Sequence, residues 1–150
     1  MKRAVFPGSF DPITIGHLDI VNRGLKVFDE IIIGIGENTD KKYMFSSDQR
    51  AEYVKTVFKK NNNVTVKTYS GLTVDFCKKN NSNFLIRGLR NPSDFEFEKS
   101  IALTNRKISD IETVFFLTSI ENSYISSSIV RELIRNNGDY QLFIPKGITI

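Results

Sequence analysis

Few residue types in this chain can do chemistry on their own, and the ones that can lie far apart. There is one histidine, His17, and one cysteine, Cys77. His17 closes the stretch Pro7-Gly8-Ser9-Phe10-Asp11-Pro12-Ile13-Thr14-Ile15-Gly16-His17, a loop stiffened by two prolines that runs into an amphipathic segment. Gly16 lets backbone come close to a ligand. Unpaired N–H groups and the helix dipole both favour an anion at a helix start, so the stretch reads first as a phosphate site. Other phosphate-directed groups are Lys41, Arg87, Arg90 and the run Ser126-Ser127-Ser128. An arginine can grip phosphate with two parallel bonds, a lysine acts as a mobile point charge, and serines beside free helix N–H groups can cradle oxygens. Each also has a plain structural reading: His17 as a helix cap, the basic residues as solvated charges, the serines as an N-cap.

The elements that would carry these residues decide between the two readings. A strand over Arg3–Phe6 precedes the first loop, and the spacing of Leu18, Val21, Leu25 and Phe28 predicts a helix from about Gly16 to Phe28. The continuous apolar run in Glu30–Ile35 suits a strand buried on both faces of a parallel sheet. Ser46 and Gln49 stand at capping-box spacing ahead of a helix reaching Phe58. Further strands are expected over Val64–Tyr69, Asn83–Ile86 and Thr113–Leu117. Further helices are expected over Leu72–Lys79, from Ser93 (boxed with Glu96) to Lys107, and over Ile125–Arg135, stopped by Asn136-Asn137-Gly138. This alternation predicts a single α/β domain built on a doubly wound, five-stranded parallel sheet. Ligands in such sheets sit at the carboxyl ends of the strands. Those ends are the loops 7–17, 36–44, 87–91 and 118–128, where the phosphate-directed groups lie.

Bulk properties narrow the function further. At 150 residues the chain can bury one substantial core, and 40% hydrophobic with 25% charged residues is the composition of an ordinary globular protein. The net charge of +4 is spread without a dense basic block, which fits small phosphorylated ligands; a nucleic-acid partner is not expected. A lone cysteine forms no internal disulfide and no thiolate metal cluster, and a reducing, cytoplasmic location follows as the expectation. Cys77 reads as a small buried hydrophobe, since no second histidine exists to activate it. No apolar run resembles a secretion signal or a membrane span, so no membrane association is expected. The chain lacks a GxxxxGK[ST] loop, an HExxH pair and a GxSxG elbow. Gly34-Ile35-Gly36-Glu37-Asn38-Thr39 begins like a dinucleotide fingerprint but has no third glycine and follows the second strand. No protein metal ligand is assigned, because zinc sites rarely rely mostly on carboxylates.

Thr14-Ile15-Gly16-His17, taken with Ile125-Ser126-Ser127-Ser128-Ile129-Val130-Arg131, resembles the paired TxGH and ISSSxxR motifs of the nucleotidyltransferase superfamily. More narrowly, Pro7-Gly8-Ser9-Phe10-Asp11-Pro12, Lys41-Lys42, Ile86-Arg87-Gly88-Leu89-Arg90 and Asp94-Phe95-Glu96-Phe97-Glu98 are similar to the bacterial phosphopantetheine adenylyltransferases, in order and over nearly the whole chain. The resemblance implies a Rossmann-like fold and transfer of AMP from ATP to 4'-phosphopantetheine. The products would be dephospho-coenzyme A and pyrophosphate, in coenzyme A biosynthesis. It also implies a Mg2+ requirement and a homohexamer. By position it implies that Ser9 and Phe10 contact ATP, with Ser9 also near the acceptor, and that His17 stabilises the transition state at the α-phosphate. Lys41, Thr73 and Arg87 would hold phosphopantetheine. Gly88, Leu89, Arg90, Glu98 and the stretch Asn122, Ser123, Tyr124, Ile125, Ser126, Ser127, Ser128 would bind ATP. Phe97 stands where many relatives carry tyrosine, which removes any hydroxyl contact there, and the segment between Arg106 and Thr113 is one residue shorter than in some relatives.

The implied chemistry agrees with the side chains available. A phosphate oxygen is already a nucleophile, so positioning and electrostatic stabilisation can carry the rate without a covalent or strongly basic side chain. Magnesium commonly stays bound through waters and phosphates and needs few protein ligands. Two alternatives stay open at this point. One is a related TxGH enzyme that joins a nucleotide to nicotinate mononucleotide or glycerol phosphate, which would differ in its acceptor loops. The other is a noncatalytic domain that binds RNA or DNA through the same basic loops, with affinity falling steeply as salt rises.

Overall fold

A computed structural model describes residues 1–150. The runs Ala4-Val5-Phe6 and Ile31-Ile32-Ile33 have no polar face, so they are satisfied only in the middle of a sheet covered on both sides. They form that middle. β1 (Arg3–Gly8) pairs in parallel with β2 (Glu30–Glu37) on one side and β4 (Phe84–Leu89) on the other; β3 (Val64–Ser70) and β5 (Glu112–Leu117) form the edges. The connecting helices are α1 (Ile15–Gly24), α2 (Ser47–Phe58), α3 (Thr73–Lys79) and α4 (Pro92–Ser109), and α5 (Ser127–Arg135) follows β5. Alternating strand residues build two apolar layers. Phe6, Ile31 and Ile33 pack with Ile20, Val54 and Phe58, while Val5, Ile32 and Leu85 pack with Val74, Phe76 and Ile111.

The doubly wound parallel sheet expected from the sequence is the one observed. Its strand order, β3-β2-β1-β4-β5, reverses between β1 and β4, which opens a crevice at the carboxyl ends of those two strands. Cys77 is fully buried, and burial pushes its thiol up to about 12, as suits a packing residue. No helix is long and apolar enough to cross a membrane.

Several boundaries differ from the sequence expectation, each for a local reason. Strand β1 continues through Pro7 and Gly8, which stand in register with Gly34 and Ile35. Helix α1 stops at Gly24 rather than Phe28: the Val27 and Phe28 N–H groups both donate to the Gly24 carbonyl at 2.9 Å, and Asp29 N–H donates to Lys2 at 2.8 Å, turning the chain into β2. Strand β4 does not end at Ile86 but runs on, with Arg87, Gly88 and Leu89 opposite Phe115, Phe116 and Leu117. Helix α4 is capped by Asn91, whose Oδ1 accepts from Asp94 N–H at 2.9 Å, and not by Ser93. Pro92 fits the first helical position because its missing N–H is not needed there. Helix α5 begins at Ser127, with Ser126 as its cap accepting from Ile129 N–H at 3.2 Å, so Ile125 lies before the helix.

Candidate active site

The first loop fixes the state of the only histidine. Thr14 caps α1 in a reciprocal box: Thr14 Oγ1 accepts from His17 N–H at 3.4 Å, and His17 Nδ1 accepts from Thr14 N–H at 3.0 Å. His17 is therefore a helix cap, and it lines an open cavity as well. Because Nδ1 accepts, the proton of the neutral ring sits on Nε2. Burial, then the positive charges of Arg87 and Arg90, pull the imidazole pKa down from its usual 6.5 to about 4. Near neutral pH His17 is an uncharged hydrogen-bond donor with a defined tautomer.

Two cavities, about 370 and 360 Å³, meet at the crevice and share Pro7, Gly8, Ser9, Arg87 and Glu98 as a common wall. Arg87 is held rigidly on β4. Its Nε and Nη2 donate to the two Glu98 oxygens at 2.9 and 2.6 Å, and Nη1 donates to the Pro7 carbonyl at 2.6 Å. The first cavity holds Lys41 and Thr73, the latter joined to the Tyr69 hydroxyl at 2.9 Å. The second holds Phe10, His17, Gly88, Arg90, Ile125, Ser126, Ser127 and Ser128. Gly88 allows α1 to pack close, since a Cβ there would meet Ile20 at 3.2 Å. Burial alone would raise the Asp94 carboxyl, but its bonds with Arg90 outweigh that and hold its pKa below the ordinary value. The starts of α1 and α5 both border the second cavity, so free N–H groups and basic side chains face one space.

Relatives point to the same chemistry. Residues 5–133 match the cytidylyltransferase-like family. Over its whole length the chain is 56% identical to the phosphopantetheine adenylyltransferase of Flavobacterium psychrophilum, covering 99% of that protein, and 45% identical to that of Bacteroides thetaiotaomicron, also covering 99%. The chain belongs to the phosphopantetheine adenylyltransferase family. Among solved structures, a bifunctional NMN adenylyltransferase/ADP ribose pyrophosphatase from Francisella tularensis superposes with a TM-score of 0.75 over 95% of this chain and 44% of that one. At 15% identity that likeness establishes the fold alone.

In this member of the family, the residues picked out in sequence divide into three groups. Ser9, Lys41, Thr73 and Arg87 border the first cavity, and Ser9, Phe10, His17, Gly88, Arg90, Glu98 and Ile125 to Ser128 border the second. Leu89, Asn122, Ser123 and Tyr124 border neither. Leu89 is 8% exposed at the end of β4, and Tyr124 turns edge-on to Phe143 beyond the short turn Ile120–Asn122. The Phe10 ring is buried against Phe6 and His17 and forms part of the core.

Sequence reasoning assigned no role to Arg131, which borders the second cavity and donates to the Asp11 carbonyl at 2.9 Å and to Ser128 Oγ at 3.1 Å. Its place in the ISSSxxR pattern was the available signal. Asp94 was given no role either, although it opens the Asp94-Phe95-Glu96-Phe97-Glu98 motif; Tyr43, Tyr69 and Asn105 were also missed, and nothing in their local spacing marks them.

The His17 geometry has a pH consequence. Protonation at Nδ1 breaks the bond from Thr14 N–H and adds a cation beside Arg87 and Arg90. The neutral form is the native one, so the contribution is fully present above the free-histidine value of 6.5 and is lost as pH falls toward 4. Turnover is expected to be flat through neutral pH with respect to this group and to drop only as pH approaches about 4. A 15N titration of the imidazole checks this: midpoint protonation near 6.5 contradicts it.

Proposed function

We propose that the chain transfers AMP from ATP to 4'-phosphopantetheine, releasing pyrophosphate and forming dephospho-coenzyme A, a step of coenzyme A biosynthesis in the cytoplasm. The observation that carries the proposal is the pair of cavities joined at Ser9, Arg87 and Glu98, with the Nε2–H donor of His17 on one side and Lys41 on the other. ATP occupies the second cavity, its triphosphate against Arg90, Arg131 and the starts of α1 and α5. The acceptor phosphate lies in the first cavity between Lys41 and Arg87. Its oxygen attacks the α-phosphorus across the shared wall, a new P–O bond forms, and the bond to pyrophosphate breaks. His17 donates to a non-bridging α-phosphate oxygen as charge builds there; no side chain accepts a proton.

The residues present fit a Mg2+ ion carried mainly by the nucleotide. The carboxylates bordering the cavities are Glu37, Asp94 and Glu98, and the last two are already engaged by Arg90 and Arg87. No group of three or more potential metal ligands exists in the chain, which leaves phosphate oxygens and water as the ion's main partners. When bound, the ion neutralises triphosphate charge.

A homohexamer is part of the proposal. Of the 18 residues of α4 only Glu98 is buried, while Phe97, Leu103 and Ile108 are each more than half exposed, an apolar surface that subunit contacts would cover.

Pyrophosphate release from ATP, measured across 4'-phosphopantetheine, nicotinate mononucleotide and glycerol phosphate as acceptors, tests the reading. Release with phosphopantetheine alone is expected; silence with it, or a stronger response to either other acceptor, rejects the assignment.

A further inference from the structure

Arg50 on α2 is 1% exposed, and no ion pair in the structure includes it. Burying a cation without a carboxylate is costly, so its compensation must come from elsewhere. It comes from backbone and one ring. Arg50 Nε donates to the Phe45 carbonyl at 3.2 Å, Nη1 donates to the Ser9 and Gly36 carbonyls at 2.6 and 3.0 Å, and the guanidinium carbon lies 3.9 Å from the Tyr43 ring centre. Three segments are thereby tied to one group: the first loop, the end of β2, and the loop that carries Lys41. Asp11, 3% exposed, reinforces the tie, its two oxygens accepting from Met44 and Phe45 N–H, both at 2.9 Å.

The Ser9 contact falls at an unusual place in the backbone. Phe10 has φ +49°, a conformation that costs a bulky residue about 1–3 kcal/mol and persists only where its surroundings enforce it. In a planar trans peptide the N–H points opposite to the C=O, so holding the Ser9 carbonyl also aims the Phe10 N–H. No group of the protein accepts that N–H. Phe10 borders the second cavity, while Ser9, Gly36 and Tyr43 border the first.

We propose that Arg50 is a positioning residue for the transfer step. It touches neither substrate; by gripping the Ser9, Gly36 and Phe45 carbonyls it sets the Phe10 N–H toward the phosphate chain of the nucleotide and holds the Lys41 loop at its working distance across the shared wall. This rests on the adenylyl-transfer reading, so turnover of the unmutated chain is measured first, and its absence rejects that reading and this one together. Arg50→Lys keeps the charge but cannot span three carbonyls. At temperatures where circular dichroism shows a folded chain, its kcat is expected to fall on the order of 10- to 100-fold, with the KM for ATP changed by no more than about threefold. A folded Arg50→Lys chain with unchanged kcat overturns the proposal, as does a loss that vanishes on cooling, since Arg50 would then serve stability alone. A second measurement needs no variant and decides the matter if Arg50→Lys does not fold. Titrating the 15N-labelled unmutated chain with pyrophosphate is expected to shift the Phe10 amide resonance, and a Phe10 amide that stays fixed while neighbouring resonances move overturns the proposal.

Discussion

Replacing His17 with alanine is expected to lower kcat about 10²-fold or more while KM changes little. A single preorganised donor aimed at developing charge is worth about 2.7–4 kcal/mol in the transition state, and its loss appears in kcat when the ground state does not use it. His17 meets the conditions for such a donor: its Nδ1 is occupied by Thr14 N–H, its ring is neutral, and Nε2–H remains for the substrate. The substitution also removes half of the α1 capping box, the bond from Thr14 N–H to Nδ1, which costs about 0.5–1.5 kcal/mol of stability. The two effects can be separated with His17→Gln. Glutamine at the third helical position accepts from the cap N–H as histidine does here, so thermal stability should return toward that of the unmutated chain. Turnover should return only in part, because the freely rotating carboxamide holds its N–H donor less firmly in place than the ring holds Nε2–H. Near-normal turnover in His17→Ala removes His17 from the chemistry.

The fold was largely legible because the strands announce themselves. Ile31-Ile32-Ile33 and Ala4-Val5-Phe6 are apolar on every position, which only a sheet covered on both faces can accommodate. Parallel order and the carboxyl-end rule then placed four loops around one crevice, and the cavities lie there. Boundaries were less legible where tertiary pairing decided them. Arg87, Gly88 and Leu89 look like a loop from their types, yet β5 offers Phe115, Phe116 and Leu117 as partners and extends the strand. Asn91 and Ser93 are both good caps, and only the placement of Pro92 in the first turn distinguishes them. Arg50 was invisible for a different reason. It sits on a helix whose sequence gives it the look of a solvated charge, and its burial depends on carbonyls contributed by residues up to 41 positions away. The same applies to Tyr69 and Asn105, which reach the first cavity from a strand and a helix with no local mark.

Arg87→Ala is expected to weaken phosphopantetheine binding tenfold or more by calorimetry, about 1.4 kcal/mol, while ATP affinity changes less. Arg87 borders both cavities, so the asymmetry comes from what remains after its removal. The nucleotide side keeps Arg90, Arg131, His17 and two helix starts; the acceptor side keeps Lys41, an exposed point charge on a flexible four-carbon stem. The substitution has a second effect that must be separated from the first. Glu98, with its side chain only 10% exposed, loses both partners of a two-pronged ion pair, and a buried charged acceptor left unpaired costs about 1–3 kcal/mol or more of stability. It also places an uncompensated negative charge on the wall where a phosphate must sit, which repels the acceptor. Arg87→Ala combined with Glu98→Gln distinguishes direct from indirect action. If Arg87 grips the acceptor phosphate itself, the double variant regains stability but still binds phosphopantetheine weakly. If the double variant regains affinity as well, Arg87 acts only by neutralising Glu98. An effect of Arg87→Ala confined to ATP would move the arginine to the nucleotide side and leave Lys41 as the main cation of the acceptor cavity.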